Sequence, residues 1–113
     1  SRIISAESRG EPLTGKIAVG NVVLNRVKSS SFPNSVKEVV FDDRYAIQFE
    51  PVANGTVYDR PTDSALLAAK LCLEGANTAG DSLYFFAPAL SAGSWIRSSR
   101  TYYTTIGCHR FYL

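Results

Sequence analysis

Glu7 is the residue of this chain best placed for chemistry. It lies in Ile3-Ile4-Ser5-Ala6-Glu7-Ser8-Arg9-Gly10-Glu11-Pro12, an apolar, helix-like run that stops abruptly. A glutamate flanked by Ile3, Ile4 and Ala6 is a candidate for partial burial. Burial disfavours the charged carboxylate and moves it toward the range useful to a general acid. The competing reading is a solvated or ion-paired glutamate served by Arg9 or Arg26. Glu11 is the rival carboxylate, four residues on. Gly10 and Pro12 argue against one continuous helix there, so Glu11 is expected to do structural work, holding an arginine or capping the next helix through backbone N–H groups. Glu50 is a third acid that could face Glu7 across a groove, and the nearby Gln48 is suited to a substrate hydrogen bond.

Other kinds of site are poorly supplied. Gly15 and Gly20 fall within a helical pattern and lack the Lys-Ser/Thr ending of a phosphate loop. One histidine and two dispersed cysteines do not make a convincing metal cluster, and no nucleophile elbow accompanies His109. His109 is therefore read as a group that orients a loop near the site. Carboxylates and aromatics remain, a pairing that suits sugar polymers: a protonated carboxyl serves the glycosidic oxygen and flat rings stack on sugar faces. Tyr45, Phe49, Tyr84, Phe85, Trp95, Tyr102 and Tyr103 fall in or near predicted loops and strands, with Tyr84 and Trp95 preferred, since most aromatics are core.

Composition bounds the rest. With 113 residues and 45% hydrophobic content, residues 1–113 fit a single domain that can bury a core without metals or a disulfide framework. No apolar run reaches the roughly 18–20 residues of a membrane span, and no signal-peptide pattern is present. The lack of an initiator Met, with the key motif almost at the start, reads as a domain of a longer or processed chain. Twelve basic and ten acidic residues are spread along the chain, for a net charge of +2. That distribution argues against nucleic acid as a partner and is compatible with an anionic polymer such as a cell wall. Cys72 and Cys108 allow a disulfide worth roughly 3–4 kcal/mol, or else two buried free thiols.

Several elements position these residues. The first helix covers roughly residues 1–9. A second begins at Leu13-Thr14 and carries Ile17, Val19, Val22, Val23, Leu24 and Val27, with Asn21, Asn25 and Arg26 as polar interruptions; it is expected to run through the core. Ser35 begins a short helix to Val40 with Glu38 at its capping-box position. Asn54-Gly55 predicts a turn between extended segments. Pro61-Thr62-Asp63 starts a helix that ends at Gly75. Leu83–Ala87 reads as a strand, Pro88–Ser94 as a loop, and the β-prone terminus bends at Gly107. The class is α+β, a helical core with a short-stranded β lobe.

Ala6-Glu7-Ser8-Arg9-Gly10-Glu11-Pro12, Gly15-Lys16-Ile17-Ala18-Val19, Val23-Leu24-Asn25-Arg26-Val27 and Ser31-Phe32-Pro33 together resemble the opening of the SleB/CwlJ family of bacterial cell-wall hydrolases, the spore cortex-lytic enzymes. The likeness continues through Gln48–Gly55, Leu83–Pro88, Ser94-Trp95-Ile96 and Ile106–Tyr112, in order along nearly the whole chain. It implies a lysozyme-like, transglycosylase-like domain that cuts peptidoglycan glycan strands as a lytic transglycosylase, with Glu7 as acid and base. Gln48, Phe49, Tyr84, Phe85 and Trp95 would line the substrate site, with Glu11, Glu50 and His109 in support. The resemblance further implies no metal or organic cofactor, a monomer, and an extracytoplasmic location in cell wall, spore cortex or coat. The alternatives are a muramidase that uses water on the same bond and a wall-binding module without chemistry.

Overall fold

The computed structural model describes residues 1–42, 49, 52 and 54–113. Gln48, Glu50 and Tyr45 lie outside the described residues, as does most of the expected extended segment before Asn54.

Helix α1 (Arg2–Glu7) stops where its sequence says it must. Ser8 closes it by donating from Oγ to the Ile4 carbonyl, and Glu11 N–H then bonds the Ser8 carbonyl at 3.0 Å across a turn holding Gly10 at φ 83°. Pro12 precedes α2 (Leu13–Lys28) and cannot continue a helix from its N-terminal side. Glu7 and Glu11 therefore belong to different local structures.

Helix α2 is the central element, buried without interruption from Gly15 to Val23. Gly20 lets its neighbours close in: a Cβ there would stand 2.7 Å from Cys72 Sγ and 3.0 Å from Ile4 Cδ1. The polar interruptions of α2 hold the loop that leads into the sheet. Asn21 Nδ2 donates to Ala76 O, while its Oδ1 accepts from Thr78 N–H. Asn25 Nδ2 donates to Gly80 O and Ser82 O, and Arg26 Nε donates to Leu83 O at 2.7 Å. These side chains satisfy backbone carbonyls that burial would otherwise leave without partners.

Helix α3 (Val36–Val40) is capped by Ser35, whose Oγ accepts from Glu38 N–H at 3.2 Å and donates to Glu38 Oε1 at 2.8 Å. Helix α4 (Asp63–Leu73) starts at Thr62, which accepts from Ala65 N–H, and turns its small residues Ala65, Ala68 and Cys72 inward. It ends in a Schellman arrangement: Ala76 N–H bonds Leu71 O at 2.9 Å and Gly75 N–H bonds Cys72 O at 3.0 Å, with Gly75 at φ 102°.

Strands β1 (Tyr84–Phe86), β2 (Tyr102–Ile106) and β3 (His109–Tyr112) form an antiparallel sheet in the order β1-β3-β2. Strand alternation sends Phe85, His109 and Phe111 toward the helices and Tyr84, Phe86 and Tyr112 to the other face. Helix α5 (Ser94–Ser99) and the residue after it lie against that second face, with Trp95 edge-on to Tyr84 and Arg97 over Phe86. The α+β class is as predicted, mixed helices with a small three-stranded sheet.

Three expectations are corrected. Asn54-Gly55 does not join two strands: Asn54 Oδ1 accepts from Thr56 N–H and Oγ1, and Thr56–Tyr58 forms a 3₁₀ turn. The loop expected over Pro88–Ser94 ends at Gly93, because Ser94 opens helix α5. Cys72 and Cys108 form no disulfide: Cys72 is buried and donates to Ile17 O at 3.3 Å, whereas Cys108 is exposed at the β2–β3 turn.

Candidate active site

Glu7 is half-buried at the C-terminal end of α1, while Arg9, one of the two cations that could have served it, is exposed. Glu7 is one of the groups whose charge favours the protonated form of Arg26 of α2, after Tyr84 and Asp42. Arg26 is 4% exposed, and its guanidinium carbon lies 4.7 Å from the centroid of Phe32, 5.1 Å from Phe49 and 5.3 Å from Tyr84. Burial lowers its pKa to about 10, against the charges of Tyr84, Asp42 and Glu7, which favour the cation. Arg26 therefore stays protonated at neutral pH. Its rings contribute cation–π attraction of about 0.5–2 kcal/mol each at most.

Tyr84 extends the cluster outward. It meets Phe32 at 6.0 Å, Trp95 edge-on at 5.5 Å, and the guanidinium of Arg100 at 4.8 Å. Trp95 is 58% exposed, leaving a large ring face open to solvent. Tyr84 and Trp95, both singled out from the sequence, are thus brought together, with Tyr84 linking Trp95 to Arg26. The sequence offers Arg26 as a partner for Glu7 and as a polar interruption of α2, but not as the centre of a ring cluster. The missing signal was periodicity: a lone arginine on the buried face of a core helix must be paired or coordinated to be there at all.

Glu11 and His109 form a second cluster behind the first. Glu11 Oε1 accepts from Cys108 N–H at 2.7 Å and lies 3.3 Å from His109 Nδ1, close enough for an ion pair but off the line of a hydrogen bond. Glu11 does cap a backbone N–H, but that of the β2–β3 turn rather than of the next helix. Gly107 fits this contact. Its φ of 57° leads a two-residue turn of the type II′ sign pattern, and a Cβ there would stand 2.7 Å from Glu11 Oε1.

Phe49 and Phe85 separate the two clusters. Phe49 is 3% exposed and packs on Phe85 at 6.3 Å; Phe85 also meets His109 edge-on at 5.2 Å and Phe111 at 5.7 Å. The groove role expected of Phe49 is therefore corrected: it fills core space, because its ring is consumed by Arg26 and Phe85. Phe85 points to the helical side of the sheet, away from Trp95. A cavity of about 820 Å³ opens at the other end of α1, lined by Arg2, Ile3, Val36, Phe41, Val57 and Tyr58. It takes in none of the sequence-predicted site residues and no carboxylate. Among the described residues, no three His, Cys, Asp or Glu side chains converge to hold a metal, and no helix is long and apolar enough to cross a membrane.

Burial lowers the pKa of His109 from its usual 6.5, and Glu11 opposes this only in part. The unfolded chain thus binds this proton more readily than the folded one. Stability contributed here is fully present above pH 6.5 and falls as the pH drops from there toward the lowered folded value. In denaturation experiments across this window, the parent is expected to lose stability on acidification at up to about 1.4 kcal/mol per pH unit more than His109→Gln. Equal slopes would show that His109 does not carry this dependence.

Residues 10–112 match the family described as Cell Wall Hydrolase. The chain belongs to the cell wall hydrolase family. Within it, the spore cortex-lytic enzyme of Bacillus cereus is 41% identical over 108 residues, 96% of this chain and 40% of that protein. The spore cortex-lytic enzyme of Bacillus subtilis (strain 168) is 35% identical over 111 residues, 98% of this chain and 35% of that protein. The cell wall hydrolase CwlJ of the same organism is 31% identical over 94 residues, 78% of this chain and 64% of its own length. Among solved structures, the catalytic domain of the germination-specific lytic transglycosylase SleB from Bacillus anthracis superposes with a TM-score of 0.88 at 39% identity, covering 99% of this chain and 88% of that one. The chain spans about two fifths of the length of the first of these curated relatives. The family match opens at Gly10, three residues beyond Glu7.

Proposed function

We propose that this cell wall hydrolase domain is a peptidoglycan lytic transglycosylase that cleaves the bond between N-acetylmuramic acid and N-acetylglucosamine, with Glu7 as its acid and base. What supports this reading, among the described residues, is that Glu7 and Glu11 belong to different local structures. Glu7 stands half-buried at the end of α1, whereas Glu11, its nearest rival in sequence, is spent on Cys108 N–H and His109. Asp42, also near Arg26, is buried. An inverting hydrolase needs a second carboxylate about 6.5–9.5 Å from the acid, and a retaining one needs it at about 5–5.5 Å. A lytic transglycosylase can work with one.

In that reaction Glu7 protonates the leaving O4 of N-acetylglucosamine as the C1–O bond of N-acetylmuramic acid breaks. The substrate's own acetamido group stabilises the positive centre at C1. The Glu7 carboxylate then takes the proton of the C6 hydroxyl, whose oxygen bonds C1 to close a 1,6-anhydro ring. Glu7 ends in its starting state, and no water is consumed. The likeness to the SleB catalytic domain supports the reaction class, and the spore cortex-lytic relatives support spore cortex or cell wall as the place of action, outside the cytoplasm. Glycan strands are the partner, bound by a monomer.

Mass spectrometry of muropeptides released from spore cortex and from vegetative sacculi tests the reading. Anhydromuramic ends are expected. Reducing ends would replace it with water-consuming hydrolysis, and binding to sacculi without any release would replace it with a wall-binding module.

Trp95 offers a smaller test. Its exposed ring is read as a stacking surface for a sugar, so Trp95→Ala is expected to raise KM for glycan strands about tenfold, in line with an aromatic contact of about 0.5–1.5 kcal/mol. Stability measured by denaturation should change by less than about 0.5 kcal/mol, as for other exposed positions. An unchanged KM would remove Trp95 from the site.

A further inference from the structure

The acids do not extend as far along this chain as the bases. All ten lie between Glu7 and Asp81, while residues 82–113 hold Arg97, Arg100 and Arg110 and no Asp or Glu. That stretch folds as β1, α5, β2 and β3, so the sheet lobe carries three arginines and no acidic side chain of its own. Glu11, which reaches this lobe from outside, meets His109 on the helical side of the sheet.

The three arginines come to the other face. The guanidinium carbon of Arg97 lies 5.3 Å from the Phe86 ring centroid, and that of Arg100 lies 4.8 Å from Tyr84. Arg110 stands directly opposite Phe86 in the β1–β3 register, and directly opposed residues project to the same face of a sheet. Helix α5 is seated to deliver Arg97 there: a Cβ on Gly93, just before the helix, would stand 2.6 Å from the Phe86 ring, and Arg97 follows one turn later. The roles of the arginines then separate. Arg100 donates from Nε and Nη2 to the Leu113 carbonyl, at 3.2 and 2.8 Å, and so fastens the end of α5 to the residue after β3. Among the described residues, no carboxylate pairs with the side chain of Arg97 or Arg110 and no hydrogen-bond acceptor engages it.

We propose that Arg97 and Arg110 form a carboxylate-binding site beside Trp95, which takes the acidic groups of the peptide stems carried by peptidoglycan strands. The inference deepens the reading of Trp95 as a sugar-stacking residue and rests on it.

Three physical points favour a ligand over a merely solvated surface. Two cations are directed to one ring with no counter-ion, so their mutual repulsion is relieved when an anion arrives. An arginine stacked on a ring has its orientation set in advance and keeps its N–H fork free for a carboxylate, so little side-chain freedom remains to be lost on binding. The site also adjoins the proposed sugar contact. Trp95 packs on Tyr84 and Arg97 on Phe86, successive same-face positions of β1 that lie about 7 Å apart. A sugar stacked on the exposed Trp95 ring would thus hold its substituents within reach of the arginines.

Sedimentation of the domain with vegetative sacculi tests the proposal. In these the lactyl group of N-acetylmuramic acid is amide-linked to the stem, so the carboxylates belong to the stems. The sacculi are stripped of phosphate polymers with hydrofluoric acid, and a portion then has its carboxylates converted to amides. Arg97→Gln/Arg110→Gln is expected to bind the stripped sacculi about five- to tenfold more weakly than the parent, as for the loss of two exposed charge pairs, and to match the parent on amidated sacculi. Equal binding of the two proteins to stripped sacculi would overturn the proposal. A difference that survives amidation would do the same, as would one seen only before stripping, which would assign the arginines to phosphate polymers. Should the double variant fail to fold, Arg97→Gln alone changes an exposed residue and is expected to lose about threefold with the same dependence on amidation; no loss would overturn the site. Reducing rather than anhydromuramic ends would sink the transglycosylase reading without touching this binding, so the two failures remain distinguishable.

Discussion

Glu7→Gln is expected to cut the release of anhydromuropeptides by about 10³-fold or more while leaving binding to sacculi nearly unchanged. General acid–base catalysis by one positioned group is worth about 10²–10⁴. In the proposed reaction the same carboxyl serves both half-steps, so the loss should fall toward the upper part of that range. Glutamine keeps the shape of the side chain and its hydrogen-bonding reach but has no proton to give at neutral pH. The sugar contacts proposed for Tyr84 and Trp95 are untouched. The loss should therefore appear in kcat with KM almost constant, the pattern of an interaction made only in the transition state. Parallel muropeptide release assays and sacculus-binding measurements on the two proteins check this. Retained activity in Glu7→Gln would remove Glu7 as the acid and turn attention to Asp42, a buried carboxylate whose charge also favours the Arg26 cation.

Phe111→Ala should cost about 3–5 kcal/mol, the usual range for deleting a buried phenylalanine. Phe111 is 0% exposed on the central strand of the sheet, with Phe85 and His109 against its ring. No flexible neighbour stands by to fill the gap, since β1 and β2 fix β3 on both edges. A small domain has about 5–15 kcal/mol of stability in all, so this one change would remove a large share. Urea denaturation should show a lower midpoint with an unchanged m value. A loss below about 1 kcal/mol would mean that the sheet collapses onto the space and that Phe111 is not the keystone of this face.

What could be read from the sequence was what short-range chemistry dictates. The Ser35–Glu38 cap, the Gly75 stop and the Gly107 bend each depend on residues within a few positions, and each is present. The core path of α2 was legible from its density of apolar residues. Asn54-Gly55 misled because the same pair that favours a hairpin also lets an asparagine side chain bond the backbone two residues on, and here that bond starts a 3₁₀ turn. Helix α5 was hidden because it has six residues, opens after a glycine in the left-handed region, and is held by rings of the sheet rather than by its own periodicity. At the candidate site, Glu7, Tyr84 and Trp95 could be picked out by residue type. The cage around Arg26 could not, since the three rings that form it come from positions 32, 49 and 84.

The bond from Cys108 N–H to Glu11 ties together positions 97 residues apart. Translation delivers the N-terminus first, at about 5–20 residues per second, and long-range pairings are slow to close. The segment following Glu7 must therefore wait for the final hairpin before it is fastened. Until that hairpin arrives, the nascent chain carries Glu7 on a helix whose continuation is unanchored. Maturation of this domain is in that sense a last-strand event, and a ribosome-stalled chain ending before Gly107 would hold every residue of the Arg26 cluster yet lack the fastening that sets Glu11.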